Sequence, residues 1–179
     1  MRSNAFWIAG FLCGIAGCVK PIASPTPARA ETANASRPAP PIRSAYGVTE
    51  ARIFDIVNAQ RRSRGLHALL YNEQLDRMAK VQAGNMARYE KMAHVLPQSD
   101  LPTLADRARY AGYPYGKLAE NVALGYPSAE AVVRGWMASQ GHRENILNPE
   151  VAETGIGVMR SRDGGLYYCQ VFGRQLLMR

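Results

Sequence analysis

Two of the three histidines in this 179-residue chain stand where their types and surroundings could support chemistry. His94 follows a segment with helical periodicity, and His142 lies where another such segment turns. Glu120 is an acid within an otherwise apolar stretch, residues 119–123. Imidazole and carboxylate groups bind metal ions and transfer protons near neutral pH. The third histidine, His67, lies in a polar connection, so we expect it in a surface loop.

The elements that must position these residues follow from the apolar periodicity. Apolar residues recur at helical spacing in four segments. The predicted caps or first residues of these helices are Thr49, Asn72, Thr103 and Ser128. The second helix should fade near His94, and the fourth should turn through Gly141. Residues 154–160 and 166–172 change to a strand pattern and are joined through Asp163-Gly164, a hairpin signal. Four helices and at least one hairpin predict an α+β layered domain.

Four sequence features occur in a fixed order along the domain. They are His94 after the second helix, Ala119-Glu120-Asn121-Val122-Ala123, the pattern W-M-x-S-x-G-H-R-x-N-I-L at 136–147, and G-x-G-V…Y-Y-x-Q-x-F-G at 155–173. In these features the chain resembles the CAP superfamily of cysteine-rich secretory, antigen 5 and pathogenesis-related proteins. It is most similar to the bacterial SCP-like branch of that superfamily. The resemblance covers roughly residues 48–173.

The resemblance implies both a fold and a site. The fold is an α-β-α sandwich in which helices enclose a small antiparallel sheet. The implied site is a cleft lined by two histidines and two acids, and His94, Glu120 and His142 match three of these positions. Ser139 occupies the fourth position, where many eukaryotic members have an acid, and this removes a charge. Ala119 replaces the usual glycine, which restricts the local backbone.

Three interpretations of the cleft residues are open. His94, Glu120 and His142 are a sufficient ligand set for Zn²⁺ with an open position for water, as in a metal-dependent hydrolase or peptidase. Alternatively, His142 is a base oriented by Glu120, with Ser139 as a nearby nucleophile that no G-x-S-x-G turn frames. Cys169 is expected to be a buried core thiol. The third interpretation is a hydrogen-bonded network that fixes the cleft without catalysis.

The N-terminus resembles that of a bacterial lipoprotein. Arg2 precedes the uncharged, mostly apolar run 5–19, which is too short to span a bilayer but suits a secretory signal. The run ends in Ile15-Ala16-Gly17-Cys18, similar to a lipobox, which implies a mature chain lipidated at Cys18. The alternative is an ordinary signal cut after Ala28-Arg29-Ala30, which lies well beyond the apolar run.

Three segments follow from this. Residues 1–17 are the predicted signal peptide, 18–46 the lipidated cysteine and a Pro/Ala-rich tether, and 47–179 the CAP domain. Cys13 would leave with the signal, so Cys169 would be the only unmodified thiol, and no disulfide within the mature domain is expected.

The expected function is a lipid-anchored, extracytoplasmic module that binds a ligand or partner at the cell envelope. The zinc-dependent hydrolase or peptidase using His94, Glu120 and His142 is the alternative. The predicted partners are the membrane through Cys18 and a lipid, sterol, peptidoglycan or protein ligand. With 17 basic and 13 acidic residues, the domain has little bias toward nucleic acid. The chain is expected to be monomeric, and zinc is the only cofactor considered. Because Val19 follows Cys18, we expect the lipidated chain in the outer membrane of a cell that has one.

Overall fold

Five helices and four strands form within residues 47–176, which are the residues that the computed structural model describes. In chain order the elements are α1 (Val48–Arg62), β1 (Leu70–Tyr71), α2 (Glu73–Arg88), α3 (Leu104–Ala111), β2 (Tyr115–Leu124), α4 (Ala129–Ala138), α5 (Gln140–Leu147), β3 (Glu153–Arg160) and β4 (Leu166–Gln175). The helices found in 47–176 all lack the length and apolarity that crossing a membrane would require. The predicted signal peptide 1–17 and tether 18–46 lie outside the described residues.

The strands form one sheet in the order β1-β3-β4-β2. β3 and β4 are the predicted hairpin, paired antiparallel from Glu153 opposite Gly173 to Arg160 opposite Leu166. β2 pairs antiparallel with the other side of β4. The expected antiparallel sheet needs one correction, because β1 pairs in parallel with β3. This edge strand is only two residues long, so the sheet is mixed but antiparallel in its main part.

Side chains alternate along β4 and separate the core into two layers. Tyr168 and Phe172 pack with helices α1, α4 and α5 on one face of the sheet. Cys169 and Val171 pack with α2 and α3 on the other face. Trp136 of α4 is fully buried in the first layer, so these aromatics are core residues, as expected. Helices therefore cover both faces of the sheet, which confirms the α+β class and the α-β-α sandwich.

Two glycines of the 155–173 motif let α2 lie directly on β3. A Cβ added to Gly155 would stand 1.9 Å from the backbone nitrogen of Asp76, and one added to Gly157 would stand 2.6 Å from the carbonyl carbon of Ala79. Real Cβ atoms do not approach backbone this closely. The two glycines are therefore needed for close helix-to-strand packing.

Three of the four predicted helix starts agree with the structure. Asn72 caps α2, Ser128 caps α4, and Thr103 forms a capping box with Asp106 at the start of α3. Thr49 is not a cap, because α1 begins at Val48 with Gly47 before it.

Two boundaries differ from the predictions, and three elements, β1, β2 and α5, have no counterpart among them. α2 ends at Arg88, six residues before His94. Glu90, two residues after the end of this helix, has a left-handed backbone with φ of 50°. The chain does not turn through Gly141, because Ser139 in an extended conformation separates α4 from α5, and Gly141 lies inside α5. The strand β2, which carries Glu120, was not predicted, because its burial does not alternate along the chain.

Candidate functional site

Glu120 is the centre of the candidate site and is nearly inaccessible to solvent. It lies in β2 opposite Val171 of β4, and its side chain is 4% exposed. Both carboxylate oxygens are engaged: Oε1 lies 2.9 Å from His94 Nδ1, and Oε2 accepts a hydrogen bond of 2.6 Å from Arg107 Nη2. The Cys169 thiol donates to the same Oε2 at 3.5 Å. Groups from a loop, a helix and a strand thus hold both carboxylate oxygens.

Arg107 is a site residue that the sequence predictions missed. It lies in α3, its side chain is 0% exposed, and its guanidinium neutralises the buried carboxylate of Glu120. Nη2 also lies 3.5 Å from the carbonyl oxygen of His94. The signal that could have revealed it is its position, since Leu104, Ala108 and Ala111 of the same helix form the face packed against the core. An arginine among them needs a buried acid as a partner.

His94 lies in the loop after α2, and Glu120 and Gln82 fix its position. The fully buried Gln82 donates from Nε2 to the carbonyl oxygen of Ala93 at 2.5 Å and to that of His94 at 3.4 Å. The His94 ring is 56% exposed, and the hydrogen bond to Glu120 raises its pKa above the usual 6.5. Because Nδ1 faces Glu120, Nε2 is the ring nitrogen left for a ligand.

His142 lies in the first turn of α5, and hydrogen bonds tie this helix to β2. Asn121 Nδ2 donates to the carbonyl oxygen of His142 at 3.0 Å. Asn145 Nδ2 donates to the carbonyl oxygen of Glu120 at 3.2 Å and to Asn121 Oδ1 at 2.9 Å. Burial, and then the charge of His94, lower the pKa of the half-buried His142. The pKa of His94 is thus raised and that of His142 lowered, so the two pKa values move apart.

The structure places the other candidate residues, Ser139, Cys169 and His67, in different environments. Ser139 is half-buried at the α4–α5 junction and its side chain does not cap α5. Within residues 47–176, no hydrogen bond joins the Ser139 hydroxyl to His142. Cys169 is fully buried, as expected, and burial raises the pKa of its thiol far above the usual value. His67 is exposed in a loop, also as expected.

The trio does not fit the zinc site that the resemblance suggested. Across the described part of the chain, no three His, Cys, Asp or Glu side chains are grouped as a metal ion requires. The Glu120 carboxylate already contacts His94 Nδ1 and the Arg107 guanidinium, and Arg107 supplies the positive charge that a zinc ion would bring. Glu120 is therefore a partner of His94 and Arg107 in this arrangement, and no step is assigned to a metal.

Comparison with known proteins gives consistent similarities. A model of the cysteine-rich secretory protein family, CAP, matches residues 54–172. The uncharacterized protein YkwD of Bacillus subtilis is 35% identical over 152 residues, which are 85% of this chain and 56% of YkwD. The uncharacterized membrane protein YlbC of the same organism is 30% identical over 69% of this chain and 34% of its own length. The chain thus spans about half the length of YkwD and a third of YlbC.

Two solved structures share the fold. An extracellular protein containing an SCP domain, from Bacillus anthracis, is 29% identical with a TM-score of 0.64, over 71% of this chain and 40% of that one. An outer surface protein from Borrelia burgdorferi has a TM-score of 0.63 at 20% identity, over 69% of this chain and 90% of that one. At that identity the second similarity concerns the fold alone.

Proposed function

The chain belongs to the cysteine-rich secretory protein (CAP) family, and on that premise we propose that it is a binding module of the cell envelope. Its ligand or partner would contact His94, His142 and Ser139 in the cleft that the family resemblance implies, with Glu120 holding His94 in place. The observation that carries this proposal is the engagement of both Glu120 oxygens by Arg107 and His94.

A carboxylate held in this way is suited to keep other groups in place. Both oxygens of Glu120 already accept hydrogen bonds inside the domain and its side chain is only 4% exposed, so the carboxylate has little access to a substrate proton. Glu120 instead orients the His94 ring, so that its outer nitrogen keeps one direction. Ligand binding gains from side chains that are ordered before the ligand arrives, because less conformational entropy is lost on binding.

The cleft favours a ligand with hydrogen-bonding groups. On this proposal the two imidazoles and the hydroxyl of Ser139 would offer the ligand donors and acceptors, and the His94 ring is more than half exposed. Among the expected ligand classes, this polar lining suits the sugars and peptides of peptidoglycan, or a protein partner, better than a lipid or sterol.

The proposed location is extracytoplasmic, with the chain anchored by a lipid on Cys18. Two observations support it: the lipobox-like Ile15-Ala16-Gly17-Cys18, and similarity to a protein described as extracellular. In a cell with two membranes, Val19 after the cysteine favours the outer one. Metabolic labelling with a palmitate analogue tests the anchor, since labelling should be lost in the Cys18→Ser variant.

Co-sedimentation of the full-length chain with purified peptidoglycan sacculi tests the binding proposal. The wild type should be retained, and His142→Ala should weaken retention by roughly two- to tenfold, as expected for the loss of one hydrogen bond in the site. His67→Ala is the matched control, because the His67 side chain is exposed and, within residues 47–176, makes no hydrogen bond to a cleft residue. Equal retention of all three proteins, or of none, would count against the cleft as the binding site.

The zinc-dependent hydrolase alternative is tested by metal analysis of protein purified without chelator. Stoichiometric zinc that is lost in both His142→Ala and Glu120→Gln would overturn the assignment of Glu120 as an organising residue.

A further inference from the structure

A basic groove lies between the end of α2 and the end of β3, and none of the histidine-cleft residues lines it. Its lining residues are Gly84, Ala87, Arg88, Met159, Arg160, Ser161 and Arg162. The groove thus combines three arginines with small and apolar residues on one surface.

The arginines of this groove keep their charges available. All three are exposed, and none forms an ion pair with another residue in the 47–176 range. Arg160 Nη1 donates to the carbonyl oxygen of Gly164 at 2.7 Å, which fixes its guanidinium over the hairpin turn. The Arg88 guanidinium stands 5.4 Å from the centre of the Tyr89 ring.

Two acids lie near the groove and offset part of its positive charge. Asp163 accepts hydrogen bonds from Ser161 Oγ and from the backbone nitrogen of Gly165, so its carboxylate is directed into its own turn. Glu90 is exposed beyond the end of α2. Three arginines against two acids leave a net positive charge of one, which favours anions over cations at this surface.

Apolar side chains accompany these charges. Met159 is 42% exposed and lines the groove, and Leu124 is 41% exposed beside the same turn, with its Cδ1 3.4 Å from where a Cβ on Gly165 would lie. Arginine next to exposed apolar side chains is the combination that lies at a membrane surface, with guanidinium groups on phosphates and apolar groups below them.

We propose that this groove rests on anionic phospholipid, and that it turns the domain toward the membrane to which the chain is tethered. The inference rests on the proposed envelope location, since the groove needs a phospholipid surface within reach of the tether. The lipid anchor would supply attachment, and Arg88, Arg160 and Arg162 would supply orientation by contacting lipid phosphates.

The test is the partition of the full-length chain between two vesicle populations present together, in 0.15 M salt. One population is phosphatidylcholine and the other contains one-third phosphatidylglycerol. The apolar N-terminal run and any acyl chains contribute alike to both, so the ratio reports charge. The triple variant R88Q/R160Q/R162Q should lower the anionic-to-neutral ratio by about fivefold per arginine, roughly a hundredfold in total.

The matched control is R62Q/R64Q/R134Q, which removes the same charge from exposed arginines of other surfaces. It should change the ratio by less than about twofold if position matters beyond net charge. Equal losses in the two triple variants, or no loss in either, would overturn the proposal. The single variant R162Q, in the exposed turn, repeats the comparison if the triple variant is unstable.

Hydrogen–deuterium exchange independently identifies the surface that contacts the vesicle. Segments 84–91 and 159–165 should gain protection on anionic but not on neutral vesicles. If the protein is not retained on sacculi but partitions between the vesicles as expected, the histidine cleft is refuted as a binding site and the groove proposal is unaffected. The reverse outcome would refute the groove alone.

Discussion

Arg107→Met should destabilise the domain by about 3 kcal/mol, because it leaves the Glu120 carboxylate buried without its cation. Arg107 is 0% exposed and the Glu120 side chain 4%, so solvent cannot replace the lost partner. Breaking a buried pair in this way typically costs about 3–5 kcal/mol. The low end applies here because Oε1 keeps its hydrogen bond to His94. The other contacts of the guanidinium, with carbonyl oxygens at 3.4–3.5 Å, are too long to add much.

The assay is urea unfolding followed by circular dichroism, with a double-mutant cycle. In R107M/E120Q the buried charge is gone from both sides, so the double variant should recover at least about 1 kcal/mol relative to the sum of the two single variants. In thermal unfolding, the Tm of R107M should lie roughly 10 °C below that of the wild type. A loss below about 1 kcal/mol in R107M, or strict additivity of the two substitutions, would refute the idea that Arg107 and Glu120 stabilise each other.

Three further predictions follow from the same contacts. Hydrogen bonding to Glu120 raises the folded-state pKa of His94, so the stability that this pair contributes is complete below pH 6.5 and is lost as pH rises through the raised pKa. The difference in unfolding free energy between wild type and H94Q should therefore shrink from pH 6 to 8. A difference that grows over this range would contradict the pairing. His94→Ala removes the nearby charge that lowers the pKa of His142, so NMR titration of His142 should move upward; no movement would mean that the rings do not interact. Gly155→Ala should cost about 3 kcal/mol or more in urea unfolding, while Gly84→Ala, which meets nothing within 4 Å, should gain up to about 1 kcal/mol; similar effects at both sites would refute close packing of α2 on β3.

Local signals in the sequence predicted the local structure well. Asn72 and Ser128 precede apolar periodic segments and cap helices through their own side chains. The Asp163-Gly164 pair predicted the β3–β4 hairpin, and Gly164 has the positive φ of 92° that such a turn requires. These features depend on residues close together in the chain, so reading the chain alone is sufficient.

Features that depend on contacts between residues distant in the chain could not be predicted from the sequence. β2 is recognisable as a strand only once β4 lies beside it, and Ser139 ends one helix and precedes another because of packing on both sides. Arg107 has no motif of its own, and its role appears only when α3 brings it 2.6 Å from Glu120. The resemblance placed His94 and Glu120 in one site, and the structure adds that their direct contact uses Nδ1.

The most direct test of the binding proposal is long-range ¹⁵N NMR of the three histidine rings in the full-length chain. Spectra are recorded before and after addition of soluble peptidoglycan fragments, with His67 as the internal reference. The account predicts that the Nε2 signals of His94 and His142 shift together while both signals of His67 stay in place. Retention of the protein on sacculi without a shift in either His94 or His142 would contradict the assignment of this cleft as the binding site.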